Sequence, residues 1–207
     1  MEHWAAIISA LGVIITTTLT IWVKATQNRR DKMTDLKIDE MKRAGEERWR
    51  KRNTNSSVVF GELWNVLYAL KADRVYVIQP HPLGNEMLLT IQYEVKRKGV
   101  EAMKPQVQGL KMSEIARFTS LLGKELYLCY TVIDKQVEDK YAKSLLSSCG
   151  TTAVAIKRLT ASRHDWVGSL CAEFTHKTDM SCDTARDVLH SCATNIQYIL
   201  PEVVEVS

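Results

Sequence analysis

The sequence predicts an α+β fold, an antiparallel sheet with flanking helices, preceded by a transmembrane helix and a charged helical stalk. Three observations predict it. Residues 5–23 contain no charged side chain, residues 24–52 mix acidic and basic side chains, and the remainder changes repeatedly between helical and strand periodicity. That remainder reads as helix, two strands, short helix, strand, helix, hairpin and helix, an order typical of an antiparallel sheet covered by helices. We therefore expect a transmembrane segment at 1–24, a stalk at 25–53 and a folded domain at 54–207.

The run AAIISALGVIITTTLTIWV, residues 5–23, has the length of a membrane-spanning helix. At about 1.5 Å of rise per residue, roughly 20 residues cross the hydrocarbon core. Trp4 and Trp22 stand at its ends, where indole rings favour the membrane interface. Lys24 and Arg29 open a basic stretch after the run, whereas no Lys or Arg precedes it. This asymmetry predicts a single-pass protein of the inner (cytoplasmic) membrane, with its N-terminus outside and its C-terminal domain in the cytoplasm.

Small and hydroxyl-bearing residues recur along the run at steps of four, three, four and four: Ala5, Ser9, Gly12, Thr16 and Thr20. At 3.6 residues per turn they fall on one stripe of the helix, which lets a second helix approach closely. Three interpretations stay open: self-association of the membrane helix, a weakly polar pore lining, and hydroxyls that only bond back to their own helix backbone. The first of these predicts a homo-oligomer.

Residues 24–52 carry eleven Lys or Arg and six Asp or Glu, a net charge of +5, while the whole chain carries +4. The basic character is therefore confined to the segment beside the predicted membrane. That position suits anionic inner-leaflet lipid and argues against a nucleic-acid-binding face on the domain. Helix-forming residues dominate the segment, so we expect a helical stalk. The sequence NTNSS at 53–57 ends the charged run and suits the cap of the next helix.

Five cysteines occur without a CxxC pair: Cys129, Cys149, Cys171, Cys182 and Cys192. In a cytoplasmic domain we expect them to be reduced, small core residues. Cys182, His190 and Cys192 share one predicted helix, but Cys192 projects from a different side of it. Because zinc needs its ligands to converge, no metal site and no cofactor are expected.

The first half of the domain predicts a helix, two paired strands and a loop. The apolar side chains of residues 57–72 lie on one helical face: Val58, Leu63, Val66, Leu67 and Leu70. Residues 73–82 have the β-branched, period-2 texture of a strand. Residues 85–95 alternate as well, with one set formed by Leu89, Ile91, Tyr93 and Val95. These two strands are expected to pair as a hairpin, and the basic, patternless residues 97–110 predict a loop.

The second half of the domain predicts two helices, a strand, a hairpin and a closing helix. A short helix is expected from Ser113 to Gly123, then a strand at 126–132 and a helix at 134–150. Residues 151–159 and 166–174 flank a polar turn and predict an antiparallel hairpin. The last helix, at 181–200, has apolar residues at helical spacing: Ala185, Val188, Leu189, Cys192, Ile196 and Ile199.

Several of these stretches, taken with the order of elements, resemble the GAF domain, a small-ligand sensor module of signalling proteins. They are the first helix running into ADRVYVI, the strand ending CYTVID, the stretch LLSSCGTTAVAIKRL, the returning strand DWVGSLCAEF and the terminal helix. The resemblance covers residues 58–200. It implies a ligand held between the sheet and the covering segments 96–120 and 134–149. The ligand-facing candidates that it implies are Tyr76, Gln79, Tyr93, Phe118, Tyr130, Asp134 and Tyr141.

The sequence contains no GxxxxGK phosphate loop, HExxH, GxSxG or dinucleotide-binding glycine pattern, so an enzyme is not expected. The resemblance and the anchor together predict a sensor or regulatory protein, bacterial or phage-encoded. It would bind a small ligand or a partner in the cytoplasm and signal through an oligomerising membrane helix. The alternative is a non-enzymatic membrane scaffold, or a phage-encoded lysis, assembly or host-interaction protein, that uses the same fold as a binding surface.

Overall fold

A computed structural model describes residues 27, 37, 41–43, 54–160, 165–177 and 180–200. The chain divides into two compact units, Met1–Lys51 and Arg52–Ser207. The predicted transmembrane helix and most of the predicted stalk lie outside the described residues. Within the part of the chain that is described, no helix is both long enough and apolar enough to cross a membrane.

The second unit is built on one antiparallel sheet of six strands. Their bounds are β1 Arg74–Leu83, β2 Glu86–Lys96, β3 Gln108–Lys111, β4 Tyr127–Tyr130, β5 Ala153–Thr160 and β6 Trp166–Phe174. Their order across the sheet is β3-β2-β1-β6-β5-β4. The predicted hairpins β1–β2 and β5–β6 are confirmed, and β1 pairs with β6 at the centre of the sheet. The α+β class and the antiparallel sheet predicted from the sequence are therefore confirmed.

Helices cover both faces of the sheet. They are α1 (residues 54–69), α2 Ala116–Lys124, α3 Ile133–Gln136, α4 Lys140–Ser148 and α5 Cys182–Ile196. The two long helices, α1 and α5, pack on one face around an apolar cluster that includes Leu63, Leu170 and Leu189. The short helices α2, α3 and α4 pack on the other face around a second cluster that includes Phe118 and Leu146. We call these the long-helix face and the short-helix face.

A β-bulge in β2 exchanges side chains between the two faces. Val77 pairs with Tyr93 and the next residue, Ile78, pairs with Ile91, so Gln92 is the extra residue. Because one extra residue reverses the alternation, Ile91 packs in the short-helix cluster while Tyr93 packs in the long-helix cluster. All four residues of the predicted alternating set are buried. Leu89 and Ile91 face the short helices, whereas Tyr93 and Val95 face the long helices.

Three other details of the predicted elements are wrong. The predicted loop at 97–110 contains a short 3-10 turn, Lys104–Val107, and the start of the edge strand β3. The predicted helix at 134–150 is two helices, because the Asp139 carboxylate accepts hydrogen bonds from two backbone N–H groups and starts α4 anew. In the first turns of α1, Val59 is buried, whereas the predicted core residue Val58 is exposed.

The expectation that all five cysteines are reduced is also wrong. Cys129 and Cys182 form a disulfide that joins the edge strand β4 to the first turn of α5, with their Cα atoms 6.0 Å apart. Cys149, Cys171 and Cys192 are free and buried, as predicted for core cysteines. The pairing depends on the edge strand lying beside the start of α5, which no local pattern in the sequence reveals.

Candidate ligand-binding cleft

The short-helix face carries a cleft of ≈ 510 Å³ between α2, the end of β4 and the segment that joins α3 to α4. This volume lies within the range of small-molecule sites. Its lining comprises Ala116, Arg117, Phe118, Ser120, Leu121, Tyr130, Gln136, Val137, Glu138 and Asp139. The cleft therefore combines an aromatic floor with a charged rim.

Two aromatic rings form the floor of the cleft. The ring centroids of Phe118 and Tyr130 lie 6.5 Å apart with an interplanar angle of 33°. Burial raises the pKa of the Tyr130 phenol, and the carboxylates of Glu138 and Glu125 raise it further. At neutral pH the Tyr130 hydroxyl is therefore neutral and able to donate a hydrogen bond.

The rim of the cleft is charged and mostly solvent-accessible. Arg117 Nη1 lies 3.7 Å from Glu138 Oε2, and these side chains are 76% and 81% exposed. Such an exposed ion pair contributes little to stability, so both groups are available to bind a ligand. Asp139 has a different role, because its carboxylate accepts from the backbone N–H groups of Phe118, Tyr141 and Ala142. It ties the start of α2 to the start of α4 across the cleft.

A second cleft of ≈ 450 Å³ lies between the β4–α3 connection and the start of β5. Its polar lining includes Asp134, Ser147, Thr152 and Lys177. The Asp134 carboxylate accepts a hydrogen bond from Ser147 at 3.4 Å, and the Asp134 carbonyl accepts from the Lys143 ammonium at 2.8 Å. These bonds hold α3 against α4. Unlike the first cleft, the second has no aromatic side chain among the described residues that line it.

A fully buried ionic network lies on the short-helix face of the central strands. Arg74 on β1 and Glu173 on β6 are paired in register, and both side chains are inaccessible to solvent. The Glu173 carboxylate also accepts from the hydroxyl of Tyr76 and from the Thr151 hydroxyl at 2.8 Å. The Arg74 guanidinium in turn donates to the Glu101 carbonyl and to Thr151. Each charge in the network is thus compensated.

The pKa values of this network follow from burial and from the pair. Burial acts to lower the pKa of Arg74, but the Glu173 carboxylate outweighs it and raises the pKa above its ordinary value. Burial also raises the pKa of Tyr76 well above its ordinary value, with Cys171 and Glu173 acting in the same direction. Tyr76 is therefore a permanent hydrogen-bond donor to Glu173 and belongs to the core.

The seven ligand-facing candidates from the sequence lie in six different places. Phe118 and Tyr130 line the first cleft, and Asp134 lines the second. The others lie outside both clefts: Tyr76 is in the buried network, Tyr141 is exposed on α4, Gln79 donates to the Val167 carbonyl at 3.2 Å, and Tyr93 packs under α1. The bulge at Gln92 is the reason that Tyr93 faces away from the clefts.

Except for Tyr130, sequence reasoning missed the polar lining of the first cleft, namely Arg117, Ser120, Gln136, Glu138 and Asp139. The signal available for Asp139 was its place one residue before a run of helix formers, which is typical of an N-cap. In the sequence, nothing distinguishes the charged residues Arg117 and Glu138 from those of an ordinary solvated surface. Among the described residues, no group of three or more His, Cys, Asp or Glu side chains is placed to hold a metal ion.

This architecture is similar to that of several proteins of known structure. No family model and no curated protein matches the sequence. Similar solved structures include the phycoerythrobilin-bound GAF domain of a cyanobacterial phytochrome, at 15% identity and a TM-score of 0.57 over 76% of this chain and 91% of that one. The GAF domain of the cyanobacteriochrome TePixJ is also similar, at 14% identity and a TM-score of 0.57 over 70% of this chain and 88% of that one.

A third similar structure is a domain from a two-component sensor histidine kinase protein of Sinorhizobium meliloti. It has 13% identity and a TM-score of 0.50 over 69% of this chain and 87% of that one. Identities this low establish the fold alone. The folded unit of the present chain is an α+β sheet with helical layers on both faces. Its fold is that of GAF domains.

Proposed function

We propose that the folded unit is a sensory domain whose first cleft binds a small molecule with an aromatic or other planar apolar part. The observation that carries the proposal is the ≈ 510 Å³ cleft, with Phe118 and Tyr130 as its floor and Arg117 and Glu138 at its rim. The GAF domain of the cyanobacterial phytochrome holds its bilin on the same fold, which supports a ligand-binding role.

The proposed ligand would stack on the aromatic floor and exchange the rim ion pair for contacts of its own. Arg117 would bind an anionic group, and Glu138 or the Tyr130 hydroxyl would bind a donor or an acceptor. Because Asp139 joins α2 to α4, a ligand that moves one helix would shift the other. The output is then a population shift between two arrangements of the short-helix face.

We infer from the sequence that residues 5–23 anchor this domain to the inner membrane with the domain in the cytoplasm. The stripe from Ala5 to Thr20 would associate two or more membrane helices and pass on the state of the domain. Crosslinking of the full chain in membranes, with and without Gly12→Leu plus Thr16→Leu, tests this step. If the double substitution leaves the crosslinked oligomer unchanged, the membrane helix acts only as an anchor.

Ligand binding is tested by dialysing the purified full chain against a small-molecule cell extract and identifying the retained compounds by mass spectrometry. Ser120 lines the cleft on α2, so Ser120→Trp is expected to fill it and abolish retention. Ser144 is exposed on α4 outside both clefts, so Ser144→Trp is a matched control that should retain the compound.

A retained compound that survives Ser120→Trp would contradict the assigned cleft. Retention of no compound by the wild-type chain would contradict the sensor function itself. The scaffold alternative would then gain support from stable co-purification of one protein partner that both tryptophan variants keep.

A further inference from the structure

The disulfide Cys129–Cys182 holds a strand at the edge of the sheet. Cys129 is the third of the four residues of β4, which pairs with β5 alone. Cys182 is the first residue of α5. Tyr127 adds two non-covalent contacts to the same helix: its hydroxyl donates to the Cys182 carbonyl at 2.8 Å, and its ring centroid lies 5.2 Å from the Arg186 guanidinium. The disulfide is thus the covalent tie between β4 and the long-helix face.

The two faces of β4 serve different parts of the domain. Side chains alternate along a strand, so Tyr127 and Cys129 share one face, and Leu128 and Tyr130 share the other. Tyr127 packs against the long-helix cluster, whereas Leu128 and Tyr130 pack against the short-helix cluster. Tyr130, the residue next to Cys129, is part of the floor of the first cleft. A tether on one face of the strand therefore fixes the position of the cleft floor on the other.

The five cysteines of the chain differ in their access to solvent. Cys129 and Cys182 are partly exposed, whereas the three free thiols are buried. Burial raises the pKa of the Cys149 and Cys171 thiols, and it raises the pKa of Cys192 to about 12. Because the thiolate is the reactive form, these three thiols are inert near neutral pH. Thiol chemistry with an external reagent is therefore confined to the disulfide pair.

The position of Cys182 favours cleavage of the bond. This residue lies in the first turn of a helix of fifteen residues, where the positive end of the helix dipole stabilises a thiolate. Arg186 follows one turn later on the same side of the helix, and its Nη1 is also 3.2 Å from Asp183 Oδ1. A sulfur whose thiolate is stabilised leaves a disulfide more readily. Cys182 is thus the better leaving group, and Cys129 is the sulfur that an incoming thiolate attacks.

We propose that Cys129–Cys182 is a reversible thiol–disulfide switch that controls the first cleft. A cellular thiol such as glutathione attacks Cys129 Sγ as its thiolate, forms a mixed disulfide there and releases the Cys182 thiolate. A second glutathione thiolate attacks the glutathione sulfur of the mixed disulfide and releases Cys129. Two glutathione molecules are thereby oxidised to one disulfide, and their two electrons and two protons convert the protein bond to two thiols.

The two states differ in the freedom of β4. In the disulfide form the strand is tied to α5, and Tyr130 keeps its place beside Phe118. In the dithiol form the strand relies on its ladder to β5 and on non-covalent contacts, so it opens more readily. The inference rests on the proposed function, which assigns a ligand to the first cleft and the domain to the cytoplasm. Disulfides that form in that compartment are mostly transient or redox-sensing.

Maleimide labelling of the native full chain in glutathione buffers is the first test. Excess reduced glutathione is expected to expose two reactive thiols per chain, and excess oxidised glutathione should remove them. Cys192→Ala, which lacks one of the buried free thiols, is the matched control and should give the same two labels. A bond that resists glutathione in the folded chain would overturn the proposal. More than two labels would also overturn it, because a reduction that unfolds the chain is not a switch.

Hydrogen exchange of the full chain, measured by mass spectrometry, follows the strand itself. Reduction is expected to speed amide exchange in β4 by about tenfold or more, with a smaller increase in α2 at the cleft. The edge strand β3 also has four residues but carries no cysteine, so its exchange should be unchanged. Cys129→Ser plus Cys182→Ser should resemble the reduced wild type with or without reductant. Equal exchange of β4 in the oxidised and reduced wild type would overturn the proposal.

Binding of anilinonaphthalene sulfonate, an aromatic anion of the proposed ligand class, connects the switch to the cleft. The binding that counts is the part lost in Ser120→Trp and kept in Ser144→Trp. Reduction is expected to weaken this binding by about tenfold, because a smaller fraction of the chain has the cleft floor in place. Equal affinity in the two redox states would overturn the control of the cleft. Absence of such binding in the oxidised chain would contradict the proposed ligand class instead, and the exchange of β4 then decides the switch.

Discussion

The two faces of the sheet differ in how they use the same strands. The long-helix face is covered by α1 and α5, and its cluster is built from side chains such as Leu63, Leu170 and Leu189. The short-helix face is covered by three helices of nine residues or fewer. Both clefts and the buried pair Arg74–Glu173 lie there.

The difference follows from the reach of the covering elements. A helix of fifteen residues such as α5 presents about four turns to the sheet, enough to fill the face with side chains. The short helices leave gaps where their ends meet, and these gaps form the clefts. The long-helix face thus supplies stability and an outward surface, and the short-helix face supplies the candidate binding sites.

The strongest test of this division is the removal of one partner of the buried ion pair. Glu173→Gln leaves the Arg74 guanidinium buried without its counter-charge and is expected to lower the free energy of unfolding by about 3–5 kcal/mol. Denaturant unfolding of the full chain measures it. Glu62→Gln on the long-helix face, where the carboxylate is accessible and accepts one hydrogen bond, should change it by under about 1 kcal/mol. Equal losses of unfolding free energy in the two variants would contradict this contrast between the two faces.

Loss of the disulfide is expected to have the next largest effect. The bond between Cys129 and Cys182 closes a loop with a sequence separation of 53, and its removal should lower the free energy of unfolding by about 2–4 kcal/mol. The double variant Cys129→Ser plus Cys182→Ser should have the same free energy of unfolding as the reduced wild type.

Alkaline pH should weaken the long-helix face through Cys192. Burial, with a smaller contribution from Glu62, raises the pKa of this thiol to about 12 from its ordinary value of 9.0. Above pH 9 the unfolded thiol loses its proton while the folded one keeps it, so stability falls as pH rises toward 12. At about pH 10.5, the loss of unfolding free energy that comes from Cys192 is on the order of 2 kcal/mol.

Denaturant unfolding at several pH values measures this loss. Cys192→Ala should reduce the slope of stability against pH, although other buried groups, such as Cys171, keep part of it. A slope that is identical in wild type and variant would contradict the assignment.

The last comparison is between two tyrosines, one from each face, and it includes the smallest expected effect. Tyr76→Phe leaves the buried Glu173 carboxylate without one of its donors, so it should lower the free energy of unfolding by about 1.5–3 kcal/mol. Tyr93→Phe removes only a 3.3 Å contact with the Ser56 hydroxyl and should lower it by about 1 kcal/mol or less. Neither variant should alter retention of a compound in the first cleft. A loss of retention in Tyr93→Phe would show that the bulge does not separate Tyr93 from ligand binding.

The sequence predicted the parts of the fold that local patterns encode. The hairpins β1–β2 and β5–β6 followed from period-2 alternation around turn residues, and the buried side of α5 followed from helical spacing. Phe118 and Tyr130 followed from the resemblance to GAF domains, and the structure places both of them at one cleft.

Only the tertiary structure decided the features that depend on distant residues. The bulge at Gln92 assigned Ile91 and Tyr93 to opposite faces, and the partner strand β1 sets that register. The pair Arg74–Glu173 and the disulfide Cys129–Cys182 join residues 99 and 53 positions apart. Periodicity within one element tells which side chains are buried, but not which element buries them. For this reason the sequence determined the class of the fold, and the packing of strands and helices decided the site.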